Sequence, residues 1–236
     1  MKNSFSPTLN NRPQARAFSL LAQVAQGRSY VYRWLALVFY PPDRQLLHSL
    51  QNRSFLNQMK RATAWLGRDQ EILVQHLITI QEKAQHLDQI DHEYERLTGK
   101  SIDRVALVES AYRWRDASNP IKDHARITEA LQQEYAIYGI STLELDPDHV
   151  AVQLEFLAYL SQREAVMWKE AAGEAARQLR RSQRAFLTDH LGRWVPELSK
   201  RIHEQMPGSI YAAFANLANT WIQMEYGPGY FTELGS

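Results

Sequence analysis

Apolar residues recur at three- and four-residue spacing along nearly the whole chain, and strict alternation is scarce, so the pattern predicts helices throughout. "NRPQARAFSLLAQVAQ" opens with Asn11 as a cap and Pro13 in the first turn. "SYVYRWLALVFYPPD" follows as an intensely apolar segment in which Tyr30, Trp34, Leu37 and Val38 share a face and Pro41–Pro42 stop the helix. "SFLNQMKRATAWLG" runs from Ser54 to Gly67. The stretch from Asp69 to Gly99 reads as one long amphipathic helix with Ile72, Leu73, His76, Leu77 and Ile80 as its stripe. "KSIDRVALVESAYRWRDASNPIKD" breaks the pattern and ends in a turn at Asn119–Pro120, which predicts a loop or hinge. Helical spacing returns in "DHARITEALQQEYAIYGI", "MWKEAAGEAARQLRRSQRAFLTDHLGRWV", "PELSKRIHEQM" and "SIYAAFANLANTWIQMEYG". The expected architecture is an all-α helical bundle of two packed parts, 1–120 and 123–236, joined by a hinge or loop segment near 100–122.

In "ELDPDHVAVQLEFLAYLSQRE" two aspartates, a proline and a histidine precede an apolar-rich run. Asp146 reads as an N-cap, Pro147 as the first helical residue and Asp148 as a first-turn acid, all ordinary chemistry for a helix start. His149 has no such reason to be there. At 100° per residue it shares a flank with Gln153, Phe156 and Leu160, bordering the apolar stripe of Val150, Leu154 and Leu157. Glu155 projects away from that flank, into solvent. A polar rim beside an apolar face suits peptide binding as well as plain packing.

Composition narrows the chemistry. With 27 Lys plus Arg against 26 Asp plus Glu, the 236-residue chain lacks the broad positive footprint of a nucleic-acid binder. Absence of cysteine excludes disulfides, thiolate zinc sites and cysteine nucleophiles. "AFSLLAQVA" is the longest apolar burst near the start, and Arg12 and Arg16 are not adjacent, so neither a secretory nor a twin-arginine signal is read there. Nothing is long and apolar enough to span a membrane. A cytoplasmic protein is expected.

No sequence motif carries catalysis. His-Glu-x-x-His, Gly-x-Ser-x-Gly, a phosphate-binding glycine loop and the paired Glu-x-x-His of di-iron bundles are all missing. Glu82/His86 and Asp88/His92 are spaced as surface helix pairs. Two competing readings remain: a helical-bundle metal enzyme using histidines and carboxylates, and a helical DNA-binding regulator built on "YAIYGIST". Against the second, Glu144, Asp146 and Asp148 put negative charge where phosphates would lie. "RRSQRAFLTDHLGRWVPEL" places Phe186, Leu187, His190, Leu191 and Trp194 on a packing face, with His190 as a core histidine and Trp194 anchoring a helix end.

Four motifs in order carry a resemblance: "RWLALVFYPPD", "EYERLTGKSIDRVALVESAYR", "DPDHVAVQLEFLAYL" and "AFLTDHLGRWVPEL", followed by a closing aromatic–Ala–Leu helix. Together they make the chain similar to the TorD/DmsD/NarJ family of molybdoenzyme maturation chaperones. The sequence departs from that pattern at "VALVES", where many members have prolines. The resemblance implies a cytoplasmic, non-enzymatic chaperone that binds the signal peptide and apo form of a molybdenum oxidoreductase catalytic subunit. It would assist cofactor insertion before export or assembly, with no cofactor of its own. The partner's signal is often a twin-arginine one, although the NarJ branch serves enzymes that have lost the arginine pair. By the same resemblance Asp148, His149, Ser110 and Tyr112 face the peptide, with Glu109 a further candidate. Trp114 and Phe156 would add aromatic lining beside Tyr112. A monomer or a domain-swapped dimer fits such a chain.

Overall fold

The structure, a computed structural model, describes residues 12–99, 104–113, 120–141 and 145–226. These residues form ten α-helices: α1 (Arg12–Val38), α2 (Arg44–Gln51), α3 (Ser54–Ala62), α4 (Gln70–Lys83), α5 (Ile90–Thr98), α6 (Pro120–Ile137), α7 (Val150–Lys169), α8 (Gly173–Asp189), α9 (Leu191–Gln205) and α10 (Ile210–Tyr226). The protein is all-α, as the periodicity predicts, and one isolated bridge is the sole β-type pairing among the described residues.

Several boundaries differ from the sequence reading. The first two predicted segments fuse into the single 27-residue α1, which passes through Gly27 without a break. A Cβ at Gly27 would sit 2.2 Å from the Ala62 carbonyl oxygen, so glycine there permits close approach rather than a turn. The helix α2 escaped the periodicity because it is two turns long; Asp43 caps it, its Oδ1 accepting from the Leu46 N–H at 2.7 Å. The long pattern from Asp69 to Gly99 divides into α4 and α5 at a 3-10 segment, Ala84–Gln89. The side chains of His86 and Asp88 lie outside the described residues, as do Asn11 and Asn119. Trp194 opens α9 rather than ending a helix, because the chain breaks at His190 and Pro196 lies inside the next helix.

Helices α1 and α7 pack antiparallel along most of their length. Phe18 meets Trp168 at one end, at 5.2 Å between ring centroids. In the middle Ser29 Oγ donates to the Ala158 carbonyl at 2.8 Å, and Tyr40 approaches His149 at the other end. Ala22, Ala25, Ala158 and Ala165 are buried along this seam, and small side chains let the two axes approach. α9 and α10 form a second antiparallel pair. Their Trp194, Tyr211, Phe214 and Trp221 are fully buried in a contiguous core that runs from Val31 to Met224.

Beneath the α1–α7 seam lies a buried ionic network. Arg28 pairs with Glu164 and also lies 3.8 Å from Glu225. Arg180 reaches Glu225 at 2.9 Å, and Tyr32 donates to it at 3.1 Å. Gln183 Nε2 and Trp168 Nε1 donate to Glu164 at 2.8 and 3.2 Å. Four helices, α1, α7, α8 and α10, thus share one set of charges removed from water.

The close contact at Gly27 yields a test whose sign opposes helix propensity. An alanine in mid-helix ordinarily gains about 1 kcal/mol over glycine. Here Gly27→Ala is expected to lower the urea unfolding free energy by about 1–3 kcal/mol, because the methyl meets backbone that cannot retreat cheaply. A gain in stability would mean that α1 does not press on α3 as described.

Candidate functional site

The segment 104–113 has no α-helix, and it crosses the N-terminal end of α7. Its backbone is fastened there by two hydrogen bonds flanking the Val108–His149 bridge. The Glu109 N–H donates to the Asp148 carbonyl at 2.9 Å, and the Val150 N–H donates to the Leu107 carbonyl at 2.8 Å. Tyr112 closes the segment on itself, its hydroxyl donating to the Ala106 carbonyl at 2.7 Å. The Tyr112 ring packs 5.3 Å from Trp194, with the Arg201 guanidinium 4.7 Å from its centre on an approach over the ring.

The predicted helix start is corrected by three residues. α7 begins at Val150, and His149 is its N-cap, with Nδ1 accepting from the Ala151 N–H at 3.2 Å. Asp146 instead sits in the preceding turn, where its carbonyl accepts from the His149 N–H at 3.0 Å. This supplies the reason the sequence lacked: an imidazole nitrogen does the work of a capping oxygen. That role needs a neutral ring. Burial holds the His149 pKa down at about 4, with Asp146 opposing only in part.

Asp148 is fully buried. Its Oδ2 accepts from the Ser110 N–H at 3.0 Å and lies 3.7 Å from His124 Nδ1, which is also 3.0 Å from Ser110 Oγ. Its Oδ1 has no hydrogen-bond partner among the described residues. Burial raises the Asp148 pKa, and the bonds from Ser110 offset that only partly. An under-satisfied buried carboxylate is costly, on the order of 1–3 kcal/mol.

Glu109, also fully buried, is by contrast saturated. Arg113 pairs with one oxygen. The other takes Gln153 Nε2 at 2.6 Å and His190 Nδ1 at 2.9 Å. Gln153 in turn accepts from Trp194 Nε1 at 3.2 Å. Burial pushes the Glu109 carboxyl up, but His190 and then Arg113 outweigh it and hold it below its usual range. Burial likewise disfavours the His190 imidazolium, yet Glu109 and Glu134 raise its pKa to about 9. Glu109 and His190 are therefore an ion pair at neutral pH, joining the 104–113 segment to the α8–α9 break.

The sequence-predicted residues thus separate by role. Asp148, His149, Ser110, Tyr112 and Glu109 do come together at one corner. Asp148 and Glu109 face inward and hold the segment, whereas His149, Ser110 and Tyr112 are half-buried and reach the surface. Phe156 is only 4% exposed and packs among Tyr135, Tyr138 and Phe186, so in this state it belongs to the core beneath the corner. Trp114 lies outside the described residues. Glu155 is exposed, as expected, and accepts from Tyr40 at 2.9 Å. Sequence reading missed His124, Arg113 and the function of Gln153. It placed His190 in the core without a partner, since nothing local links it to Glu109, 81 positions away. Among the described residues no cluster of three or more histidines and carboxylates is arranged to hold a metal ion, and no helix is long and apolar enough to cross a membrane.

The profile of the nitrate reductase delta subunit family matches residues 57–200, more than half of the chain and all of the 104–113 segment, Asp148, His149 and His190. The chain belongs to this family. The family resemblance drawn from the four motifs is upheld. Among the relatives of this family member is the chaperone protein TorD of Vibrio cholerae serotype O1, 26% identical over 204 residues that cover 85% of this chain and 90% of that one. A selenate reductase assembly chaperone protein of Thauera selenatis is 34% identical over 91 residues, 37% of this chain and 45% of its own. No solved structure matches.

Proposed function

We propose that this chain is a cytoplasmic, enzyme-specific chaperone that acts by binding rather than catalysis. Its client is the apo catalytic subunit of a molybdenum oxidoreductase, held through the N-terminal signal peptide while the cofactor is inserted, before export or assembly. Family membership and the chaperone names of the relatives support the chaperone role. The corner at the start of α7 supports the place of binding.

One observation carries that placement: Asp148 keeps a buried carboxylate oxygen without a donor among the described residues, under a segment that has no α-helix of its own. A basic group of a signal peptide supplies the missing donor once the 104–113 segment lifts. That new charge-assisted bond, together with burial of the peptide's apolar face, offsets the fastenings released. Exposed Asp146 and Glu155, together with the partly exposed Glu134, extend the negative charge across the outer surface. His149, Ser110 and Tyr112 offer the accessible polar and aromatic contacts. On this reading Glu109, Gln153 and His190 position the segment and do not touch the peptide.

Calorimetric titration with the signal peptide of a molybdoenzyme encoded nearby, and separately with its apoenzyme, tests the reading. Saturable binding of the peptide is expected. Absence of binding to both would end the proposal.

A further inference from the structure

A large cavity lies away from this corner. It is an open groove of about 1000 Å³ between α1, the end of α3 and the last turn of α7. Along α1 it is lined by Ala15, Ser19, Gln23, Gln26 and Tyr30, at three- and four-residue spacing. That face runs for about 22 Å, or roughly four helical turns. Phe18, Leu20, Trp65 and Trp168 supply most of its apolar walls, and Leu20 is 50% exposed.

The floor is built rather than incidental. Trp168 Nε1 is tied to Glu164, which the buried Arg28 holds in turn. On the other side Gly27 brings α1 against the Ala62 carbonyl. Aromatic walls fixed in this way need little reordering on binding, which reduces the entropic cost of docking.

Charge indicates what fits. The groove's charged lining residues are Arg61 and Lys169, both exposed, with no acidic residue among them. We propose that this groove docks an amphipathic helix of a partner protein, about four turns long, apolar on one face and flanked by acidic side chains. Its length along α1 favours a helix over a compact amphiphile, and the cationic rim selects against a basic one. The groove starts at the C-terminal end of the 20-residue α7 and runs along α1 as far as Tyr30, level with the middle of α7, whereas the corner lies at the N-terminal end of α7, and none of the groove's lining residues belongs to the corner. The groove is therefore a second surface, separate from the signal-peptide corner and independent of whether that corner binds.

Two fluorescein-labelled helical peptides of about 16 residues test this, sharing one leucine stripe and flanked by glutamate in one and lysine in the other. Anisotropy on the full chain should show the glutamate peptide binding at least about tenfold more tightly. The double variant Arg61→Glu/Lys169→Glu should invert the order, and Leu20→Glu should weaken both peptides. All these positions are exposed, so the melting temperature should hold. Asp148→Asn should leave the preference untouched, which separates this result from any failure at the corner. Equal affinity for the two peptides, or no inversion in the double variant, overturns the proposal. So does binding of anionic phosphatidylglycerol vesicles without either peptide, which assigns the groove to a membrane. A concentration-dependent dimer abolished by Leu20→Glu, again with neither peptide bound, overturns it in favour of a second copy of the chain.

Discussion

Replacing Glu109 by alanine is expected to lower the unfolding free energy by about 3–5 kcal/mol, among the largest effects of any single change in the molecule. The change removes the acceptor of three donors at once: Arg113, Gln153 Nε2 and His190 Nδ1. His190 is left as a buried imidazolium or must give up its proton, and Gln153 is left with an unsatisfied amide. Urea unfolding monitored by tryptophan fluorescence measures the loss. Stability near that of the wild type would mean that the knot is weak and that the 104–113 segment is held in another way.

The same pair makes stability depend on pH. Folding raises the His190 pKa from 6.5 to about 9, so its contribution is complete below 6.5 and is lost as pH rises through 9. Folding lowers the His149 pKa from 6.5 to about 4, so its contribution is complete above 6.5 and is lost as pH falls through 4. Each limb amounts to about 3 kcal/mol at most. Stability should therefore peak near neutrality. His190→Gln should flatten the alkaline limb alone. His149→Asn, which keeps a capping acceptor, should shrink the acid limb alone, leaving the part that Glu109 contributes through its lowered pKa. A limb that survives its own substitution undiminished would assign it to other groups.

The second large effect belongs to Arg28. Arg28→Ala strands Glu164 and Glu225 in the interior beside Arg180, and a loss of about 3–5 kcal/mol is expected. The decisive comparison is the double variant Arg28→Met/Glu164→Gln. Removing both charges while keeping the volume should restore most of what the single change costs, because an uncompensated charge rather than a lost bond dominates the penalty. A double variant as unstable as the sum of the singles would show that the two residues act separately. The network joins α1 to α7, α8 and α10, so the singles should also lower the cooperativity of unfolding.

Much of the fold is legible in the chain because helices advertise themselves locally. The stripe of Val150, Leu154 and Leu157 predicts a buried helix face, and all three are fully buried in α7. Pro41–Pro42 predict the end of α1, which stops at Val38. The sequence pattern splits α1 between Gln26 and Ser29, whereas the role of the intervening Gly27 is set by Ala62 on another helix. The site is legible in part for the same reason. Asp148 and His149 stand out as adjacent polar residues ahead of an apolar stripe. Their division of labour does not, since capping by an imidazole nitrogen mimics no common capping signature. The Glu109–His190 pair joins residues 81 apart, and no local pattern records a contact of that range.

Under the proposed function, the buried Asp148 carboxylate serves the client peptide more than it serves the fold. Titration of Asp148→Asn with the signal peptide, alongside its melting curve, addresses this directly. Asparagine can keep the acceptor for the Ser110 N–H while removing a charge that burial disfavours. An unchanged or higher melting temperature is expected, together with peptide affinity weakened by at least about tenfold. Wild-type affinity in a stably folded Asp148→Asn variant, or an affinity loss that only follows a lowered melting temperature, would contradict it.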